Sequence, residues 1–85
     1  MAHAGSERTF ELIVNAQPKK WSDPRIDFRQ VVGLAFPNPQ FGGTILYTVT
    51  YSRGPRDNPK GVLTDGQSVE VKSGMVFDVT KTDKS

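Results

Sequence analysis

The sequence predicts an α+β fold in which one short helix covers one face of a β-sheet. Apolar residues recur at helical spacing within residues 26–35, where Phe28, Val31, Val32 and Ala35 form one stripe. The flanking segments alternate between apolar and polar residues, or are rich in Gly, Pro and polar residues, as strands and turns are. One helix among several strands therefore has to cover one face of a sheet.

The composition excludes several classes of protein. A chain of 85 residues forms one small domain with a modest core, which argues against an enzyme with a deep cleft. It contains no cysteine, so disulfides and thiolate chemistry are excluded. Eleven basic and nine acidic residues leave a formal charge of +2, too little to predict a nucleic-acid partner.

The sequence contains neither a predicted membrane-spanning helix nor a predicted signal peptide. No apolar run approaches the ~20 residues of a membrane-spanning helix, and the N-terminus lacks the apolar core of a signal peptide. We therefore expect a cytoplasmic protein. Residues 1–9 are small and polar and are expected to form a disordered N-terminal tail. The lone histidine, His3, lies in that tail without a partner to orient it, so we predict neither a metal nor a catalytic role for it.

The first folded segment is predicted to be a hairpin. Apolar residues alternate with polar ones over residues 10–15, which predicts a half-buried strand. Residues 16–18 then turn the chain, and residues 19–22 return as a second strand. Trp21 is expected to close one end of the core, with an aromatic platform for a ligand as the alternative. Residues 22–25 are predicted to be the loop that leads to the helix.

The helix has a predicted start and a predicted end. Asp27 can accept a hydrogen bond from the amide of Gln30, whose side chain can reach back to the amide of Asp27, which is a capping box. Ile26 and Val31 flank this cap as a hydrophobic staple. Pro37 ends the helix because it lacks an N–H and disfavours helical geometry in the preceding residue.

Two further strands are predicted after the helix. Residues 44–51 form the strongest β segment, and residues 75–80 form the last strand. Between them lie a polar loop, residues 52–61, and an Asp-Gly turn within residues 63–69. The helical stripe and the alternation of the strands together predict one core between helix and sheet: Leu12, Val14, Phe28, Val31, Val49, Phe77 and Val79. Alternation places other residues on the outer, partner-facing sheet surface: Ile13, Leu46, Thr48, Thr50, Asp78 and Thr80.

This order of elements corresponds to the β-grasp fold. We predict a mixed sheet of four to five strands with one helix packed on one face, the last strand lying parallel to the first at the centre; a small open barrel is the alternative. The domain is expected to span residues 10–80. A free C-terminal tail is expected to follow, consisting of Lys81, Thr82, Asp83, Lys84 and Ser85.

Several segments, in this order, resemble ubiquitin-like proteins and more closely the multiubiquitin-domain family of bacterial ubiquitination-like operons. They are Phe10 to Val14, the strand Tyr47-Thr48-Val49-Thr50-Tyr51, the turn Leu63-Thr64-Asp65-Gly66-Gln67-Ser68-Val69, and the ending Gly74-Met75-Val76-Phe77-Asp78-Val79 followed by Thr82-Asp83-Lys84-Ser85. The turn is similar to one in ubiquitin itself. The resemblance covers residues 10–85.

The resemblance implies a protein modifier and no enzymatic activity. Its C-terminal tail, residues 81–85, would be activated by a partner adenylating enzyme that uses ATP, and the chain itself would need no cofactor and no metal. The implied partners are the activating enzyme, the conjugating enzyme and the deconjugating peptidase of the same operon, together with target proteins; self-association is also possible. Ubiquitin ends in Gly-Gly, whereas Lys84 and Ser85 end this sequence. That difference favours the alternative, a β-grasp binding or assembly module that is never conjugated.

Overall fold

The structure, a computed structural model, describes residues 9–83. Its strands and helix, in chain order, are β1 (Phe10–Val14), β2 (Gln17–Trp21), β3 (Arg25–Asp27), α1 (Phe28–Ala35), β4 (Ile45–Ser52), β5 (Gly61–Leu63), β6 (Ser68–Glu70) and β7 (Val76–Asp83). The predicted N-terminal tail, with His3, lies outside the described residues except for Thr9. Lys84 and Ser85 also lie outside them.

The main sheet has five strands in the order β2-β1-β7-β4-β5. β1 and β7 run parallel at the centre, with Ile13 opposite Val76 and Val14 opposite Phe77. The other neighbours are antiparallel. Helix α1 packs on one face, so the mixed sheet with a single covering helix is an α+β β-grasp fold, as predicted from the order of elements.

Helix α1 begins as the sequence predicts. The N–H of Gln30 donates to Oδ1 of Asp27 at 2.8 Å, and the N–H of Asp27 donates to Oε1 of Gln30 at 2.9 Å, which completes the capping box. The helix ends at Ala35, and the N–H of Phe36 donates to the carbonyl of Val32 at 2.9 Å. Phe28, Val31 and Val32 are the buried face of this helix.

The predicted hairpin forms, but its turn is shorter than expected. Asn15 and Ala16 both have positive φ, 51° and 67°, as a two-residue type I′ turn requires. Strand β2 therefore starts at Gln17, with Pro18 inside it, and not at residue 19. Proline is tolerated because β2 is an edge strand of the sheet.

Two short strands outside the main pattern also differ from the prediction. Residues 25–27, the last of which was predicted to cap the helix, form β3 and pair with β6 in a separate two-stranded sheet. Residues 61–63 form β5, which pairs with Val49–Tyr51 at the edge of the main sheet. Three-residue strands carry too few alternating positions to produce a recognisable period, so their pairing is evident only in the folded structure.

The core lies between α1 and the inner face of the main sheet. All seven residues predicted for it are buried, including Phe77, Leu12, Val31 and Val49 at 0% exposure. Within residues 9–83 no polar or charged side chain is buried. Trp21 is half-buried against the core and donates from Nε1 to the carbonyl of Arg25 at 2.9 Å, as expected of a residue that closes one end of the core.

Candidate functional site

The outer face of the main sheet, the face away from α1, is formed by the residues that the sequence assigns to it. Leu46, Thr48, Asp78 and Thr80 are exposed, and Ile13 and Thr50 are partly buried. Their neighbours on the inner side of the same strands are buried, so the alternation is the predicted one. Whether this surface binds a partner stays a prediction.

Cross-strand register brings these side chains into rows. Thr48 lies opposite Thr80, and Thr50 lies opposite Asp78. On the other side of β4, Thr50 also lies opposite Val62 of β5. Four strand positions in the middle of the outer face therefore carry three hydroxyls and one carboxylate, and the apolar side chains lie towards the margins.

The exposed apolar residues gather at one margin. Among the described residues the large exposed hydrophobics are Phe41, Leu46 and Val62, with exposures of 37%, 47% and 58%. Sequence analysis assigned Leu46 to this surface but not Val62 or Phe41. Val62 directly precedes the buried residue Leu63 in β5. Because neighbouring residues of a strand lie on opposite faces, Val62 lies on the outer face.

The prediction of a free tail that starts at Lys81 is wrong for the residues that the structure describes. Lys81, Thr82 and Asp83 continue β7 and lie opposite Tyr47, Leu46 and Ile45. β4 is eight residues long, and its first half supplies backbone partners for three residues beyond the predicted end of the last strand. All three side chains are exposed, so no burial pattern signals that these residues pair.

Asn15 joins the hairpin to the last strand. Its backbone N–H donates to the carbonyl of Phe77 at 3.0 Å. Its side-chain Nδ2 donates to the carbonyl of Val79 at 3.1 Å, and its Oδ1 accepts from the N–H of Val79 at 2.8 Å. The side chain thus extends the parallel ladder by one residue beyond the end of β1.

These hydrogen bonds fix the direction of every backbone group in β7 and β4. Phe77 and Val79 point their N–H and C=O groups towards β1, so the alternate residues, Asp78, Thr80 and Thr82, point theirs towards β4. Their partners in β4 are the even-numbered residues. The odd-numbered residues of β4 therefore point their backbone groups towards β5.

Hydrogen bonds within the polar loop between β4 and β5, and from β4 to this loop, set its conformation. The N–H of Gly54 donates to the carbonyl of Pro59, and the hydroxyl of Tyr51 donates to Oδ1 of Asn58, both at 2.9 Å. The basic side chains of the loop, Arg53, Arg56 and Lys60, are exposed. Residues 53–60 thus form the polar connection between strands that the sequence predicts, and residues 52 and 61 already belong to β4 and β5.

Residues 9–83 include no cluster of three or more His, Cys, Asp or Glu able to hold a metal ion. No helix in this range is both long enough and apolar enough to cross a membrane. Arg29 and Asp65 form an ion pair at 3.3 Å, with both side chains more than half exposed.

Comparison with known proteins identifies the family. The family model described as multiubiquitin matches residues 10–83, which is nearly the whole described chain. The chain belongs to the multiubiquitin family. The searches of curated proteins and of solved structures gave no match.

The extent of the family match agrees with the structure of the multiubiquitin domain. It begins at Phe10, the first residue of β1, and ends at Asp83, the last residue of β7. Residues 81–83 are therefore part of the domain both by sequence and by pairing, and the predicted boundary at residue 80 falls inside the last strand.

Proposed function

We propose that this multiubiquitin domain is a protein modifier of a bacterial ubiquitination-like pathway. A partner activating enzyme would adenylate the C-terminal carboxylate, whose oxygen attacks ATP while pyrophosphate leaves. AMP would leave when a nucleophile of the pathway takes the acyl group from the adenylate, and a conjugating enzyme would then pass this acyl group to an acceptor on a target protein. A peptidase of the same operon would hydrolyse the resulting bond with water. The family match over residues 10–83 carries this proposal. We place the pathway in the cytoplasm, where ATP is available.

In this proposal the domain itself performs no chemistry. It would present its outer face, with Thr48, Thr50, Asp78 and Thr80, for recognition, and its last strand for delivery of the C-terminus to the enzyme. ATP would belong to the partner enzyme, and the chain would need no cofactor.

Delivery of the C-terminus would require the end of β7 to separate from β4. In residues 81–83, Thr82 is the residue whose backbone groups point at β4, so two ladder hydrogen bonds, both to Leu46, hold this segment. On its other side β1 pairs only as far as Phe77, and the Asn15 side chain extends that pairing to Val79. Breaking the two ladder hydrogen bonds would cost about 1–3 kcal/mol, and the bond from the Thr44 hydroxyl to Asp83 would have to break as well.

One observation favours a second candidate function, a β-grasp binding or assembly module that is never conjugated. Lys81, Thr82 and Asp83 are held in the sheet, and Thr44 also donates to Oδ1 of Asp83 at 2.8 Å. A tail that is threaded into an activating enzyme has to be extended and unpaired, and a module has no such requirement.

Incubation with the activating enzyme of the same operon and ATP distinguishes the two functions. A modifier should support pyrophosphate exchange and should gain the mass of an adenylate or of an acceptor. A variant that lacks residues 84–85 keeps the β4–β7 pairing and tests whether the terminal residues are required. If chains that end at Ser85, Lys84 and Asp83 all remain inert with the cognate enzyme, the proposal of a modifier fails and the binding or assembly module is the better proposal.

A further inference from the structure

The edge of β4 that pairs with β5 has no partner strand at Tyr47 within residues 9–83. Val49 and Tyr51 lie opposite Leu63 and Gly61 of β5, but β5 ends at Leu63 and no residue of it lies opposite Tyr47. The chain instead turns away through Thr64–Gln67, where the N–H of Gln67 donates to the carbonyl of Thr64 at 2.9 Å. Tyr47 is odd-numbered, so its backbone N–H and C=O point at this open edge.

The apolar groups exposed on the domain border the same edge. Two adjoining cavities of about 260 and 250 Å³ share Phe28, Leu46, Tyr47 and Asp65. Val62 lines one of them and Phe41 lines the other. All three large hydrophobics that are exposed within residues 9–83 therefore lie beside one stretch of unpaired backbone.

The two cavities together form a groove, and the charges that line it restrict which ligands can bind. The charged side chains that line the two cavities are Arg29 and Asp65, which neutralise each other as an ion pair at 3.3 Å. The guanidinium of Arg29 also lies over the ring of Phe41, 4.5 Å from its centroid. A charged ligand would lose its hydration here without gaining an unpaired opposite charge as a partner. A neutral apolar ligand loses little hydration free energy when it binds.

We infer that the open edge of β4 binds an extended, neutral peptide segment of a partner protein, which adds a strand in line with β5. The backbone of that segment would bond to the N–H and C=O of Tyr47. Its side chains alternate between the two faces, so one apolar residue would cover Leu46 and Val62 and the next would meet Phe41. This inference concerns a binding surface and holds whether or not the C-terminus is conjugated.

The peptide acetyl-Thr-Val-Val-Thr-Thr-amide, whose two neighbouring valines lie on opposite faces of a strand, tests this inference when it is titrated into the native protein and followed by NMR. We expect saturable shifts at the amides of Leu46, Tyr47 and Val62, and slower hydrogen exchange at the amide of Tyr47. A peptide with proline at its centre lacks the amide proton that the added strand needs and should bind at least about tenfold more weakly. Peptides in which Lys or Asp replaces both valines should also bind more weakly.

Matched variants connect the binding to the groove. Val62→Thr and Leu46→Thr place threonine, which is favourable in strands, at positions that now expose apolar surface. The double variant should bind the peptide about tenfold or more weakly. Ile13→Thr, at the far side of the outer face, should leave binding unchanged. If the double variant unfolds, Leu46→Thr alone and the two-peptide comparison in native protein still decide the matter.

Several results would overturn the inference. They are the lack of saturable shifts up to millimolar peptide, shifts centred on β2, equal binding of the proline peptide, or an equal loss of binding in Ile13→Thr. Protection of the Tyr47 amide that rises with protein concentration in the absence of peptide would also overturn it. That last result would assign the edge to a second copy of this chain.

Discussion

At the scale of single residues, Phe28 connects the helix to the rest of the core. It is the first residue of α1 and is 7% exposed. We expect Phe28→Ala to lower the free energy of unfolding by about 3–5 kcal/mol, because it leaves a cavity beneath the only helix in residues 9–83. The neighbouring Arg29→Ala removes an exposed ion pair and should cost less than about 1 kcal/mol. A thermal melt of Phe28→Ala close to that of the native protein would contradict the central position of the helix.

Substitution of alanine for glycine is expected to have opposite effects on stability at Gly54 and at Gly33. A Cβ at Gly54 would lie 2.6 Å from the backbone oxygen of Asn58, so Gly54→Ala should destabilise the domain by about 1–3 kcal/mol. Gly33 is an exposed position of α1 with no atom within 4 Å of a Cβ, so Gly33→Ala should stabilise it by about 0.5–1 kcal/mol. Chemical denaturation of both variants measures these changes. Equal effects of the two substitutions would show that the space around Gly54 is not limiting.

At the scale of elements, the Asn15 side chain connects the β1–β2 hairpin to β7. Asn15→Gly keeps the positive φ of the turn but removes both side-chain bonds to Val79, and should cost about 1–3 kcal/mol in unfolding free energy. Asn38→Gly is the matched control, since Asn38 also has a positive φ, 53°, and lies at an exposed position. It should change stability by less than about 0.5 kcal/mol. Similar losses in both variants would mean that glycine itself, and not the lost bonds, destabilises the chain.

The end of β7 belongs to the same scale. Removal of residues 81–85 deletes three cross-strand pairs with β4 and should lower the free energy of unfolding by about 1–3 kcal/mol. Removal of residues 84–85 alone leaves those pairs in place and should have little effect on the melt. Equal melts for the two truncated chains would show that Lys81, Thr82 and Asp83 do not pair stably with β4 in solution.

At the scale of the whole molecule, the outer face of the main sheet carries polar side chains at its centre. Ubiquitin presents an apolar patch on the corresponding face, whereas this domain has Thr48, Thr50, Asp78 and Thr80 there. We therefore expect no measurable micromolar binding to receptors that recognise the ubiquitin patch, since each buried hydroxyl or carboxylate would lose its hydration without a partner. Calorimetry with one such receptor, with ubiquitin as the positive control, measures this. Micromolar binding would contradict the assignment of these side chains to the recognition surface.

The sequence by itself determined the helix, the central strands and the core. Capping by Asp27 and Gln30, the helical apolar period and the alternation of β4 are local properties, and local chemistry is sufficient to fix them. The same alternation placed the six residues of the candidate outer face on their side of the sheet. Asp65-Gly66 likewise turns the chain because glycine accepts a positive φ, here 91°.

Only the tertiary structure decided where strands end and which edges stay open. The pairing of Lys81, Thr82 and Asp83 depends on the length of β4, a strand more than thirty residues earlier in the chain. Because their side chains are all exposed, no apolar alternation in the sequence indicates this pairing. The unpaired backbone of Tyr47 depends in turn on β5 ending at Leu63. A strand is completed by the hydrogen-bonding groups of its neighbour, so its limits are properties of the pair and not of either segment alone.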